Sequence, residues 1–298
     1  MVFFGTGGSW PSPERNVVSI GIQLDDEILL FDCGEGTQRQ IMKSNMSFMK
    51  IKKIFITHFH GDHFLGLPGL IQTMALNGRK DSLYIYGPKG TIDFMNALLN
   101  IGFYSLGFSI FLHELVEGDS VIEEDFLMSC VKANHPVPAL SYSIVEKSEK
   151  RINKKKADSL GLKHRELEML RKNGEIKKDD RLIKIDDVSQ QSREGRKIVY
   201  SGDTKPFSEF IEFSKNADIL IHESTVESSL EEKANKHGHS SARQAAEIAK
   251  NADVKKLFLV HLSARYKDSK IILDEAKNIF ENVHVPKDLE EFIITVKK

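Results

Sequence analysis

The segment Ile56-Thr57-His58-Phe59-His60-Gly61-Asp62-His63 constrains this chain more than any other. Three histidines and an aspartate fall within six residues. Imidazole and carboxylate are the ligands that suit zinc, manganese or iron. Packing them together without a cation would strip water from groups that pay heavily for losing it. The preceding run Lys53–Thr57 is β-branched and reads as a strand, so His58 opens the loop beyond it. Spaced i, i+2, His58 and His60 can reach one ion from a tight loop, and Asp62 and His63 are then placed to address a second ion beside it.

Further candidate ligands recur at a repeated position, where an apolar run gives out into one polar residue. His135 follows Phe126–Val131, Asp203 follows Ile198-Val199-Tyr200, Glu223 follows Ile219-Leu220-Ile221-His222, and His261 ends Leu257-Phe258-Leu259-Val260. In sheet-based folds ligands gather at the carboxyl ends of strands. Other strand-like runs are Val17–Leu24, Ile28–Phe31, Leu83–Tyr86, Leu127–Val131, Leu140–Val145, Lys197–Ser201, Asp218–His222, Lys256–His261 and Phe292–Lys297. Helical patterns lie between them. Ser240–Asn251 opens on capping serines and sets Ala242, Ala245, Ala246 and Ala249 on one side; Ser269–Phe280 places Ile272, Ala276, Ile279 and Phe280 in an apolar stripe. Strands and helices mixed along the whole length predict an α/β or α+β layered fold.

The 298 residues suffice for one large domain or two small ones, and the reading here is a single domain over 1–298 with an insertion at 147–197. That insertion holds 17 Lys+Arg against 10 Asp+Glu, a charge of +7 on a body of −8. Such a segment points to an anionic partner, and a solvated surface insertion accounts for the same charge. Within it Ala157–Asn173 can form one amphipathic helix on Leu160, Leu162, Leu167 and Leu170. Asn100–Leu112 is rich in Ile, Phe and Leu and reads as core, with a subunit interface as the alternative. No run of 18 apolar residues predicts a membrane span, and Met1-Val2-Phe3-Phe4-Gly5 does not open like a signal peptide. Cys33 and Cys130 read as free buried thiols of a cytoplasmic protein. No Gly-Lys-Ser/Thr follows Thr6-Gly7-Gly8, so no nucleotide cofactor is expected.

The His-x-His-x-Asp-His pattern at His58, His60, Asp62 and His63 resembles the signature of the metallo-β-lactamase superfamily. The resemblance implies a four-layer αββα sandwich with a two-metal site on one edge. It implies that His58, His60 and His135 hold one zinc, that Asp62, His63 and His261 hold the other, and that Asp203 bridges them, with manganese or cobalt as substitutes. The chain is closer still to the ribonuclease Z family. The stretches that match are Phe4-Gly5-Thr6-Gly7-Gly8 with Pro11 and Arg15-Asn16, Phe31-Asp32-Cys33-Gly34-Glu35-Gly36-Thr37-Gln38, Phe55–His63 with Gly66-Leu67-Pro68-Gly69-Leu70, Tyr86-Gly87-Pro88-Lys89-Gly90, Ser201-Gly202-Asp203-Thr204 and His261-Leu262-Ser263-Ala264-Arg265-Tyr266. His222-Glu223-Ser224-Thr225 is similar to the family's His-Glu-Ala-Thr element, with Ser224 in place of Ala. Gly238-His239-Ser240 matches the place of a histidine that acts as general acid; the neighbouring His237 is its rival.

This second resemblance implies a zinc phosphodiesterase that cuts the 3′ trailer from precursor tRNA, with Asp62, His239 and Glu223 as catalytic residues. It also implies a homodimer in which an arm at 147–197 grips tRNA. The family's arm carries a Gly-Pro-rich run, and here the corresponding Leu160-Gly161-Leu162-Lys163-His164-Arg165-Glu166-Leu167 has no proline. The alternatives within the same fold are a dinuclear metal hydrolase acting on a small phosphodiester, lactone or thioester, and a non-catalytic RNA-binding relic.

Overall fold

The computed structural model describes residues 1–147, 152–179, 181–189 and 195–295. Two sheets lie face to face, and all but the ends of two strands belong to the larger of the two compact units. The first has six strands in the order Val2–Gly5, Ser19–Leu24, Glu27–Phe31, Ile51–Phe55, Leu83–Gly87 and Ile110–Glu114. The second has seven, in the order Val283–His284, Leu257–Val260, Ile219–Glu223, Lys197–Tyr200, Leu140–Glu146, Phe126–Lys132 and Ser120–Ile122. Glu27–Phe31, Ile51–Phe55, Leu83–Gly87 and Ile110–Glu114 pair in parallel, as do Lys197–Tyr200, Ile219–Glu223, Leu257–Val260 and Val283–His284. Parallel pairing places their carboxyl ends at one edge of each sheet.

Aromatic rings fill the space between the sheets. Phe31 and Phe55 of the first sheet meet Tyr142 and Tyr200 of the second with ring centroids 5.6–6.0 Å apart, and Phe3 meets Phe258 at 5.1 Å. The outer face of the first sheet is covered by the helices Thr37–Lys43, Leu67–Leu76 and Thr91–Leu99, which set Ile41, Leu70, Met74 and Met95 against Ile28, Leu30, Ile54 and Ile85. Over the second sheet, Ala242–Asn251 and Lys270–Lys277 set Ala245, Ala249, Ile272 and Ala276 against Val199, Leu220, Leu257 and Leu259. The result is the four-layer αββα arrangement. Ala242–Asn251 starts where it does because Ser241 accepts a hydrogen bond from Gln244 N while the Gln244 side chain accepts from Ser241 N.

The strand and helix readings hold to within one or two residues in most places, with these differences. The chain turns into the histidine-rich loop earlier than expected, and the strand is Ile51–Phe55 rather than Lys53–Thr57. Phe292–Ile294 and Thr295 form no strand; the rest of that predicted run lies outside the described residues. The segment 100–112 is not core: Ile101, Phe103, Leu106 and Phe111 are exposed and Phe108 alone of its large side chains is buried. It leaves the helix Thr91–Leu99 as irregular chain and ends in an edge strand, where Ile110 and Leu112 are partly buried, and among the described residues nothing buries Ile101, Phe103 or Leu106.

The second unit holds residues 145–196 with Glu123–Leu127 and Thr295–Lys298. Its described part contains the helices Lys154–Ser159, His164–Asn173 and Ile185–Val188 and the hairpin Glu175–Lys178/Arg181–Lys184. Ala157–Asn173 is therefore not one helix. Gly161, at φ 65°, turns the chain in a conformation that L side chains resist, and Glu166 caps the new helix through Lys163 N. Ala157, Leu162, Leu170, Ile183 and Val188 form a small core of its own.

Phe55 is buried and packs on Phe31, Tyr86 and Tyr142. Phe55→Ala should lower stability by about 3–5 kcal/mol, read as a fall in the urea midpoint at unchanged slope; a loss under about 1 kcal/mol would mean the sheets are held elsewhere.

Candidate active site

The polar residues that the strands deliver meet at one edge of the sandwich. His58, His60, Asp62 and His63 follow Ile51–Phe55, Asp203 follows Lys197–Tyr200, Glu223 ends its own strand, and His261 follows Leu257–Val260. His135 comes from the turn after Phe126–Lys132. Their donor atoms gather into two sets, His58, His60, His135 and Asp203, and Asp62, His63 and His261. Asp203 Oδ2 lies between the sets, 3.7 Å from His58 Nε2, 3.4 Å from His63 Nε2 and 3.3 Å from His261 Nε2. Asp203, His239 and His261 form a third group, and His237 is exposed and outside all three.

Two observations show that this cluster fits cations. His58 Nε2 and His135 Nε2 face His60 Nδ1 at 3.0 and 3.2 Å, so ring nitrogens crowd round a common point. His63 Nε2 and Asp203 Oδ1 are buried with no hydrogen-bond partner. Buried polar atoms are normally paired, and an imidazole that gives up its proton and a carboxylate oriented in this way offer lone pairs to a metal.

The atoms behind the ligands set which nitrogen carries the proton. Asp32, fully buried and held at φ 53°, accepts hydrogen bonds from Thr57 N at 2.7 Å, Tyr200 OH at 2.8 Å and His63 Nδ1–H at 2.8 Å. Thr57 Oγ1 donates to the same carboxylate at 2.9 Å and so accepts from His58 Nδ1–H at 3.1 Å. One buried aspartate thus turns two Nε2 lone pairs toward the cluster. Glu223 does the same on the other side. Thr225 Oγ1 donates to Glu223 Oε2 at 2.7 Å and accepts from His261 Nδ1–H at 2.9 Å, while His239 Nδ1 bonds Glu223 Oε1 at 3.1 Å. His135 Nδ1–H donates to the Gly238 carbonyl at 3.0 Å. These tautomers follow from the hydrogen-bond partners, each hydroxyl having one proton to give.

Burial opposes ionisation throughout the cluster, and the balance differs from group to group. Burial and the neighbouring His63 push His58 well below the usual histidine range, which leaves it neutral. At His63 burial is outweighed by Asp203, Asp32 and Asp62, which hold the imidazole well above that range; its proton is what a cation displaces. Asp203, despite burial, is held well below the carboxylate range by His261 and His63. His239 is partly buried, which lowers it, but Glu223 and then Asp203 outweigh this and raise it to about 9. Asp32 and Thr225 had no assigned role in the sequence. The signal for Asp32 was a lone acid at the end of an apolar run, Ile28–Phe31, the position that also marked Asp203 and Glu223.

The fold and this donor set define a metal-dependent hydrolase of the metallo-β-lactamase superfamily. The family model described as "Beta-lactamase superfamily domain" matches residues 188–262, and that of "Anti-Pycsar protein Apyc1" matches residues 1–152. Ribonuclease Z of Thermoplasma volcanium is 50% identical over 100% of this chain and 98% of its own length, and that of Picrophilus torridus is 47% identical over 100% and 96%. The crystal structure of the short form of human tRNase Z is 30% identical, with a TM-score of 0.73 over 100% of this chain and 99% of that one. The chain belongs to the ribonuclease Z family and is a ribonuclease.

Asp32→Asn keeps the shape of the side chain but replaces one of the two acceptor oxygens that orient His58 and His63 by an NH2 donor. It should weaken metal binding on the order of 10–100-fold, measured by competition with a chromophoric chelator. Unchanged affinity would mean the ligands hold their orientation without it.

Proposed function

We propose that this protein removes the 3′ trailer from precursor tRNA by endonucleolytic hydrolysis, leaving a 3′-hydroxyl on the tRNA and a 5′-phosphate on the trailer. Two divalent ions, zinc in the first instance and manganese or cobalt by the same ligands, would be held by His58, His60 and His135, by Asp62, His63 and His261, and by Asp203 between them. Full-length likeness to ribonucleases Z and to human tRNase Z supports the substrate. The single observation that carries the chemistry is the Glu223–His239 pair beside Asp203. An imidazolium held there is an acid suited to an alkoxide leaving group.

When bound, the metals supply Lewis acidity and make water easier to deprotonate. The chain's own groups do the rest. Asp62, whose Oδ2 accepts from Ser9 N at 2.6 Å and faces His261 Nε2 at 3.2 Å, is fixed where it can orient a water and take its proton. The water oxygen attacks phosphorus and the bond to the 3′ oxygen breaks. His239, its Nδ1–H anchored on Glu223, gives the proton on Nε2 to that oxygen. Free thiols at Cys33 and Cys130 suit a reducing compartment such as the cytoplasm, and no described helix is long and apolar enough to cross a membrane. The exposed Ile101, Phe103, Leu106 and Phe111 support a homodimer, which light scattering would read directly.

The first measurement is cleavage of a precursor tRNA bearing a 3′ trailer, with both product ends mapped. One cut after the discriminator base, abolished by Asp62→Ala and slowed on the order of 10²–10⁴-fold by His239→Ala with metal content unchanged, is expected; loss of metal from His239→Ala would make it a ligand instead. Activity should fall as pH rises through the His239 pKa, because only the charged ring can donate. Glu223→Gln removes the carboxylate that raises this pKa, so the alkaline limb should move to lower pH. A limb that stays in place would assign the proton to another group.

The segment 147–197 is proposed as the tRNA-binding arm on the strength of its charge of +7. Deleting 150–185 should weaken tRNA binding and flatten its salt dependence, with hydrolysis of bis(p-nitrophenyl) phosphate retained. Equal loss of both activities would refute the arm.

A further inference from the structure

The loop Thr6–Asn16 is pinned on both sides. Gly7–Gly8 pairs in parallel with Leu262–Ser263, directly after His261. A Cβ on Gly8 would lie 2.4 Å from His261 Cε1, so only bare backbone can rest against that ring. Ser9, in the left-handed region at φ 70°, gives its N–H to Asp62 Oδ2 at 2.6 Å. Behind the loop, Asp288 accepts from Thr6 Oγ1 and Asn16 N, and Arg15 donates to Thr6 Oγ1 and to the Pro286 carbonyl. Ser12 N–H closes a turn on the Arg15 carbonyl, and Trp10 N–H donates to the Gly8 carbonyl at 2.9 Å.

This rigid loop carries the chain's single tryptophan. Trp10 is 62% exposed, and among the described residues no aromatic ring or cation packs against it. Its Cα is ~3.8 Å from that of Ser9, the residue whose amide touches Asp62. Most of the indole is left in solvent here, whereas tryptophan is ordinarily buried for most of its surface. Yet the backbone on either side of it is tied down, and it is tied to two residues of the site.

We propose that Trp10 is a stacking partner for an unpaired base of the substrate beside the scissile phosphodiester. The inference rests on the nuclease reading above. A trailer is single-stranded, and single-stranded RNA is held by aromatic faces on which splayed bases stack. Such a contact tolerates any base, because every base has a π face, and so suits trailers of varied sequence. The loop fixes the backbone that carries the indole in advance, so only the side chain has to be ordered when the base arrives. Trp10 acts in binding and takes no part in proton transfer.

The test is a cycle across enzyme and RNA. Precursor tRNA is made with an abasic nucleotide on either side of the cut. Trp10→Ala should raise KM for the intact precursor on the order of tenfold at little change in kcat, and Trp10→Phe should restore most of it. One of the two abasic substrates should raise KM for the wild type by a like factor and have no further effect on Trp10→Ala. Turnover of bis(p-nitrophenyl) phosphate should be the same in wild type and Trp10→Ala. In a second arm, a short single-stranded ribo-oligonucleotide should quench the fluorescence of the wild-type protein, whose emission comes from this one tryptophan. Additive losses, an unchanged KM, an equal loss on the small phosphodiester, or a change in oligomeric state with RNA affinity intact would each overturn the proposal. If the wild type does not cut precursor tRNA, the trailer-processing reading fails. The fluorescence arm then decides the stacking site by itself, and absence of quenching overturns it.

Discussion

Everything at the sheet edge answers to one constraint: ionisable groups that water would solvate have been packed against one another. His58, His63, Asp203, Glu223 and His261 are all almost wholly buried. Each alone would meet a steep desolvation penalty. The penalty is offset in pairs, carboxylate against imidazole, and by hydrogen bonds to the side of each ring that faces away from the cluster. Asp32 and Glu223 are the anchors of this arrangement, and neither belongs to the ligand set. Without them the imidazoles could present either nitrogen, and the cluster would have no defined shape before a cation arrives.

The strands are what make such precision possible. Four parallel strands in each sheet end on the same side, and a residue just past a strand end has its backbone fixed by the ladder behind it. Asp32 and His261 both sit at positive φ, at 53° and 59°, at such an exit. Backbone of that kind is unfavourable for a non-glycine residue and persists only where the surroundings impose it. At Asp32 the surroundings include Tyr200, whose hydroxyl bonds its carboxylate, and at His261 they include the bare backbone of Gly8 against the ring. Tyr200 belongs to core and site at once: its ring packs on Phe31 and its hydroxyl hydrogen-bonds Asp32. Core packing and ligand orientation are thereby one structure.

The division of labour between the two compact units follows the same logic. The ligands all come from the larger unit, where rigidity matters. The smaller unit is basic, helical and held by a five-residue buried core. In the arm proposed above, contact with phosphates would need charge and reach more than exact geometry, which fits the proline-free sequence at Leu160–Leu167 that departs from the family pattern.

The sequence by itself determined the candidate ligands, the strands that carry them and the family, because clustered imidazoles and carboxylates are costly to bury without a cation and strand ends leave a plain mark of apolar run followed by polar residue. His135, Asp203 and His261 were legible as candidates in this way, His58, His60, Asp62 and His63 from their clustering, and the His-x-His-x-Asp-His spacing with the matching glycine-rich segments carried the resemblance that implied the full set. It did not determine which groups stand behind the ligands. Asp32 is 31 residues from His63 along the chain and Tyr200 is 168 from Asp32, and no local pattern reports a hydrogen bond across such a separation. It misjudged 100–112, because apolar composition says what a segment could bury and not whether anything is there to cover it. It also misjudged the helix at 157–173, where a left-handed glycine overrides the apolar period. Only the tertiary structure decided these, since each depends on which two surfaces the packing of the sheets brings together.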